Sequence, residues 1–311
     1  MNILVTGGAG YIGSITADYL VKNGHKVVIF DRNFQENPRD LLNKKDLEKV
    51  FQSNKFDGVI HFAANALAGE SMKNPAKYFE NNIIGGLNLL EAMREYNVNN
   101  IVFSSTCAIY GYPKTLPVSE RSPFAPVSVY GESKLMFEKV LDWYDNIFGI
   151  KHIALRYFNA AGASLDGLLG ESHDPETHII PLCVNVALGK AKKFTIFGDD
   201  YNTTDGTCVR DYIHVLDLAS AHLLALEYLL KHNASNEFNL GTGKGYSNKE
   251  IIDMVKKVTG VNFEVEMGPR RAGDPDKIYA DNTKIKKVLG WQPKYSDLKI
   301  IIETSYSFLK K

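Results

Sequence analysis

The sequence is poor in cysteine. Cys107, Cys183 and Cys208 are the only three in 311 residues, and no two stand in C-x-x-C spacing. An odd, scattered set speaks against both a disulfide framework and a zinc site, and fits a reducing cytosol. Charge of one sign is also lacking. Lys+Arg and Asp+Glu number 36 each, so the composition offers no basic surface for nucleic acid. No apolar run approaches the roughly 18 residues that span a bilayer. The opening residues, MNILVTGG, lack the charged-then-apolar order of a secretory leader. The expectation is a cytoplasmic protein with no membrane and no nucleic-acid partner. Internal repeats and low-complexity tracts are absent as well.

What remains is enough for a large core. Hydrophobic residues make up 44% of the chain, and the length suits two domains or one large α/β unit. Near the start, Ile3, Leu4 and Val5 form a short apolar strand. Gly7, Gly10 and Gly13 follow in G-x-x-G-x-x-G spacing. Ile12, Ile15, Tyr19 and Leu20 mark a helix, and KVVIF marks a second strand ending at Asp31. This is a βαβ unit built for a dinucleotide. Gly7 allows the tight turn, Gly10 a close backbone approach to a pyrophosphate, and Gly13 close helix–sheet packing. The helix N-terminus offers N–H groups and partial positive charge to the anion. Asp31 suits the adenosine ribose hydroxyls and repels a 2′-phosphate, which favours NAD over NADP. Arg32 beside it weakens that preference.

Further apolar runs, at 58–64, 100–105 and 152–158, read as buried parallel strands. Helical patterns lie between them at 45–52, 78–96 and 133–146. Alternation of this kind predicts an α/β, Rossmann-type doubly wound parallel sheet, with ligands at the carboxyl ends of its strands. Only eight residues separate Asp31 from Asp40, too few for a helix: either the sheet edge is simplified or a loop is missing. After Asn159 the chain becomes rich in Gly, Ser and Asp. KKFTIFG and EFNLGTG read as short antiparallel strands of a smaller domain, while residues 210–230 are apolar enough to pack back on the first. The expected division is 1–160 for the dinucleotide, with a returning segment at about 206–245, and 161–311 for a substrate, interleaved.

Ser-Ser-Thr at 104–106 ends a strand on the ligand side. Tyr130 and Lys134 follow, four residues apart at the start of a helix and so on one side of it. A phenol ordinarily titrates near pH 10, and a neighbouring ammonium would favour the phenolate. Tyr130 is therefore a candidate general base, with Lys134 beside it and the Thr106 hydroxyl as relay.

Together GGAGYIGS, HFAA…AGES, FSSTCAIYG, VYGESK, LRYFNAAG, VRDYIHV and PRRAGD, in that order from Gly7 to Asp274, resemble the extended short-chain dehydrogenase/reductase superfamily and, within it, the UDP-glucose 4-epimerase family. The resemblance implies reversible C4 inversion of a UDP-hexose through a 4-keto sugar, with tightly bound NAD as cofactor. It implies that Thr106, Tyr130 and Lys134 are catalytic, that Tyr130 and Lys134 also meet the cofactor, Lys134 at the nicotinamide ribose, and that Thr106 and Tyr130 also meet the substrate. Tyr11 and Ile12 would present N–H groups to the pyrophosphate, and Asp40 and Leu41 would lie beside the adenine. Phe62, Ala63, Ala64 and Asn82 would lie along the cofactor, and Tyr157 and Phe158 beneath the nicotinamide. On the substrate side it implies Asn159, His178 and Ile179 near the phosphates and Arg210 and Arg271 clamping them. Asp274 would hold the uridine ribose, with Thr195 and Phe197 flanking the uracil. A homodimer through the helices at 78–96 and 133–146 is also implied.

Some positions depart from the family. Ala66 stands where some members carry a lysine, His178 where an asparagine is common, and Ile278 near a position that gates 2-substituents. UDP-N-acetylglucosamine and UDP-glucuronate therefore remain alternative substrates. The related 4,6-dehydratases need an Asp-Glu pair after the threonine; Cys107 and Ala108 cannot move protons that way. A non-catalytic NAD-sensing regulator would have no reason to retain Thr106, Tyr130 and Lys134. His25, His61, His152 and His173 show no paired ligand spacing, so no metal is expected.

Overall fold

The structure, a computed structural model, describes residues 1–270 and 274–311. Arg271, expected at the substrate diphosphate, lies outside the described residues. The first half runs β1 (Asn2–Thr6), α1 (Tyr11–Lys22), β2 (Lys26–Phe30), α2 (Lys44–Ser53), β3 (Gly58–His61), α3 (Ala68–Ser71), α4 (Pro75–Phe79), α5 (Gly85–Glu95), β4 (Asn100–Thr106) and α6 (Val129–Phe148). The second half runs β5 (Lys151–Tyr157), β6 (Asn159–Ala161), α7 (Ile179–Ala187), β7 (Phe194–Phe197), β8 (Val209–His214), α8 (Val215–His232), β9 (Asn236–Leu240), β10 (Gly245–Ser247), α9 (Asn248–Thr259), β11 (Val265–Gly268), β12 (Lys277–Ile278), α10 (Thr283–Leu289) and α11 (Leu298–Leu309).

The main sheet is parallel, in the order β2-β1-β3-β4-β5-β9. Its centre is apolar on both faces because helices cover both. Successive side chains of β1 show this directly. Ile3 and Val5 enter a cluster with Leu218, Leu226 and Trp291, while Leu4 enters another with Leu47, Leu89 and Phe137. All three are fully buried, each contributing roughly 1.5–3 kcal/mol. Two smaller sheets follow: β10-β8-β12 with β6 on β8, and the pair β11-β7.

Three expectations change. EFNLGTG is not antiparallel: its strand β9 is the sixth strand of the main sheet, pairing parallel from Ile153↔Asn236 to Tyr157↔Leu240. KKFTIFG holds β7, which pairs parallel with β11. A short apolar run carries no direction; the crossover does, and α8 returns the chain in the parallel sense. The single helix expected at 78–96 is broken by a π-helical turn, Glu80–Ile84, between α4 and α5. That turn buries Asn82, which donates to Ser133 Oγ at 3.0 Å and to Asn65 O at 3.1 Å, and accepts from Asn65 N at 2.9 Å. As the eight-residue spacing required, no helix forms between Asp31 and Asp40. Among the described residues, β2 is the outermost strand at that edge.

Candidate active site

The glycine turn leaves β1 at Thr6. Gly7 has φ +74, and a Cβ there would lie 2.5 Å from Ala63 N; a Cβ on Gly13 would lie 2.1 Å from Gly7 O. Both positions exclude any side chain. Gly10 is different: an added Cβ would meet only Gly7 O, at 3.3 Å. Its open side is space for a ligand. Gly10 caps α1 without a side-chain hydrogen bond, so the first-turn N–H groups, those of Tyr11 and Ile12 among them, face outward. Asp31 Oδ2 accepts from Ala9 N at 3.0 Å, which ties the end of β2 to the turn. A pyrophosphate fits this cradle.

Phe62 N donates to Thr6 O at 2.9 Å, and the Phe62 ring packs on His222. Ala63 backs Gly7, and Ala64 leads into the segment held by Asn82. Asp40 Oδ1 accepts from Leu42 N at 2.9 Å. Leu41 is buried in the core beneath Gly85, so only its backbone can face a ligand. Tyr157 shares a very short hydrogen bond with Ser104, and burial pushes its phenol up. Phe158 is buried beside Leu135 and Ile278.

Tyr130 is half-buried, with the Thr106 hydroxyl beside its phenol. Its helix begins at Ser128, whose hydroxyl accepts from Gly131 N at 3.1 Å, and Tyr130 N donates to Ser71 Oγ at 3.1 Å. Thr106 also accepts from Ala108 N at 3.1 Å. It therefore caps the short 3-10 turn after β4 as well as meeting the phenol. Burial pushes Tyr130 up to about 12.

Lys134 has a backbone acceptor of its own. Its Nζ donates to Ser104 O at 2.7 Å and lies 4.7 Å from the centre of the Phe103 ring. The Thr106 hydroxyl pulls the phenol's pKa down against burial, while the ammonium is held by Ser104 O. Spacing of four brings two Cβ atoms together, but a four-carbon stem can turn to another acceptor, and a buried ammonium must find one. Burial pulls Lys134 down to about 7, opposed by the Glu138 carboxylate one turn on.

That carboxylate belongs to a network the sequence reading missed. Glu138 pairs with Arg156 at 2.6 Å and accepts from Ser105, and Arg156 donates to Tyr110 OH at 3.1 Å. The signal was present: Glu138 lies four residues beyond Lys134 on the same helix.

On the other side of β6 lies a cavity of about 150 Å³. It brings together Asn159, His178, Ile179, Thr195, Phe197, Arg210 and Asp274. Tyr130, Thr106 and Lys134 are not among its lining residues. Asn159 Nδ2 donates to Asp211 O at 3.1 Å. Arg210 is held by Pro275 O at 2.7 Å and Asp274 Oδ1 at 3.3 Å, so its guanidinium is fixed before any anion arrives. Asp211, unmarked in the sequence, is fully buried and accepts from Thr242, Gly243 and Ala280, fixing the strand that carries Arg210. His178 lies 2.8 Å from Glu171 and 2.9 Å from Glu176. These carboxylates raise it to about 10 and raise His173 to about 9.

A model of the NAD dependent epimerase/dehydratase family matches residues 3–241. The chain belongs to that family. Among curated members it is 49% identical to a UDP-glucose 4-epimerase of Lactobacillus helveticus, over 100% of this chain and 97% of the relative. Two solved structures share the family fold. UDP-glucose 4-epimerase from Brucella ovis, in complex with NAD, superposes with TM-score 0.96 at 44% identity, covering 99% of this chain and 98% of that one. UDP-glucose-4-epimerase from Stenotrophomonas maltophila, with bound NAD and formylated UDP-arabinopyranose, gives TM-score 0.95 at 38% identity, covering 99% and 98%. No helix among the described residues is long and apolar enough to cross a membrane.

Proposed function

We infer that this protein is an NAD-dependent UDP-glucose 4-epimerase, interconverting UDP-galactose and UDP-glucose. The observation that carries the chemistry is the Tyr130 phenol at the start of α6 with the Thr106 hydroxyl beside it. It stands on the helix packed against β4 and β5, in a fold whose glycine turn is open at Gly10.

NAD, when bound, supplies the acceptor and donor for the C4 hydride and, oxidised, a cationic ring. The chain's residues do the rest. Gly7, Gly10, Tyr11, Ile12 and Gly13 hold the pyrophosphate, and Asp31 the adenosine ribose. At neutral pH the resting phenol keeps its proton, since burial raises it to about 12. Positive charge arriving next to it would lower that value so that the phenol gives up its own proton to solvent, and the Tyr130 phenolate would then take the proton from the sugar 4-hydroxyl, through Thr106 or directly, and return it to the 4-oxygen when the keto sugar is reduced. Lys134, released from Ser104 O, has donors for the nicotinamide ribose. Asn159, His178 and Arg210 hold the UDP diphosphate, and Asp274, Thr195 and Phe197 the uridine. The hexose is left free to turn and present its other face. We assign 1–160, with the return at 206–245, to the cofactor and the rest to the UDP-sugar.

Dimerisation through α6 and the turn before α5 is supported by exposed apolar side chains there: Ile84, Trp143, Ile147 and Phe148. Free thiols at Cys107, Cys183 and Cys208 fit a reducing cytosol.

The test is a panel of UDP-glucose, UDP-galactose, their N-acetyl forms and UDP-glucuronate, with purified protein and no added cofactor. Interconversion of the first pair is expected. Inversion of UDP-glucuronate alone would correct the substrate, and inversion of none would remove the reading.

A further inference from the structure

We propose that Glu171, His173, Glu176 and His178 form a binding site for one divalent transition-metal cation of the zinc class. The four occupy the loop between β6 and α7, in the spacing E-x-H-x-x-E-x-H. One ligand atom from each lies within 4.8 Å of all the others. The pattern escaped a search for histidine pairs because it is mixed and lies in a loop, where no helical or strand period relates spacing to direction.

The geometry suits a small ion. His173 Nδ1 is 3.2 Å from Glu171 Oε1 and 3.7 Å from Glu176 Oε2. His178 Nδ1 is 2.8 Å from Glu171 Oε1 and 2.9 Å from Glu176 Oε1. Donors around a tetrahedral zinc, at about 2.0–2.2 Å from the metal, stand roughly 3.4 Å apart. The shortest of these separations would have to open, and the widest, at up to 4.8 Å, to close, by about an ångström to reach that spacing. Two imidazole nitrogens and two carboxylates select zinc, cobalt or nickel over magnesium and calcium, which prefer all-oxygen sets.

The surroundings fix the ligands. Glu171 is buried. Glu176 Oε1 accepts from Thr177 N at 2.7 Å and His178 N at 2.8 Å, which orients that carboxylate as outer hydrogen bonds orient metal ligands. Glu171 and His178 line the cavity that holds Arg210 and Asn159, so an ion has a path in. The His173 ring meets Tyr11, the first residue of α1, edge-on at 6.4 Å. A bound cation would thus fasten the loop that runs between the glycine-turn helix and the cavity. Without a cation, both Nδ1 atoms must carry protons to hydrogen-bond the carboxylates; a cation takes the lone pairs instead.

The test uses the chelator-stripped holoenzyme and cobalt(II) as probe. Expected are the visible d–d bands of tetrahedral cobalt, saturating at one equivalent, displaced by zinc and not by magnesium. Zinc should also raise the thermal midpoint. His173→Gln should weaken cobalt binding by more than the ~10–100-fold that outer hydrogen-bond partners contribute. If His173→Gln fails to fold, Glu171→Gln serves in its place, with the same weakening expected. No saturable binding by the wild-type chain would overturn the proposal and leave an ion-pair cluster. Binding unchanged in the folded variant, or magnesium binding as tight as cobalt, would overturn it equally.

Discussion

Replacing Glu138 by Gln isolates the buried charge pair that α6 makes with Arg156 of β5. The side chains of Arg156 and Glu138 are only 6% and 9% exposed. The substitution keeps the volume and one acceptor but removes the charge that pairs with the guanidinium. Breaking one partner of a buried pair costs about 3–5 kcal/mol, because the other charge stays desolvated. Arg156 keeps Tyr110 OH at 3.1 Å and the Phe124 ring at 4.9 Å, which puts the cost near the lower end, about 3 kcal/mol. For 311 residues the unfolding entropy is about 0.65 kcal/mol/K, so the melting midpoint should fall by roughly 5 °C. Calorimetry at saturating NAD measures this. The double variant Glu138→Leu/Arg156→Met should recover most of the loss, since a matched apolar pair leaves no orphan charge. A Glu138→Gln midpoint within a degree of wild type would refute the reasoning. So would a double variant no more stable than the single.

Three further outcomes follow from the site. Gly10→Ala should lose co-purified NAD and melt near the midpoint of NAD-stripped wild type, whereas Gly13→Ala, with its Cβ 2.1 Å from Gly7 O, should melt below that midpoint; absorbance after acid release measures the cofactor. Thr106→Val should reduce kcat by about 10²–10⁴ with KM little changed, as read from initial rates on UDP-galactose. Lys134 is pulled down to about 7 in the folded chain from an ordinary 10.5. Between those values the unfolded chain binds the extra proton, so stability should rise as pH climbs from 7 to 10.5. Denaturant titrations across that range should show this gain in wild type and a shallower one in Lys134→Met; parallel curves would count against it.

The legible parts of the sequence were those where backbone geometry dictates residue type. Gly7 and Gly13 are glycines because neighbouring backbone fills the space of a Cβ, and Tyr130 and Lys134 share a face because a helix has 3.6 residues per turn. Seven residues that the resemblance puts on the substrate side line one cavity, since β6, β7, β8 and the start of α7 border it. What could not be read was anything decided by reach or direction. Lys134 turned to Ser104 O because a long flexible stem has several acceptors within range. The parallel pairing of β7 and β9 was set by crossovers rather than by FTIF or NEFNL. The π turn at Glu80–Ile84 arises from an inward Asn82 whose partners, Asn65 and Ser133, come from other elements. Glu171, His173, Glu176 and His178 meet through loop folding alone.

The most direct test of the central chemistry uses UDP-galactose carrying deuterium at C4, incubated with the purified chain in ordinary water without added cofactor. If Tyr130 moves only the hydroxyl proton, UDP-glucose should form with the deuterium still on C4, and Tyr130→Phe should form it more slowly by about 10²-fold or more. Washout of the label into solvent, or a Tyr130→Phe rate equal to wild type, would contradict the account.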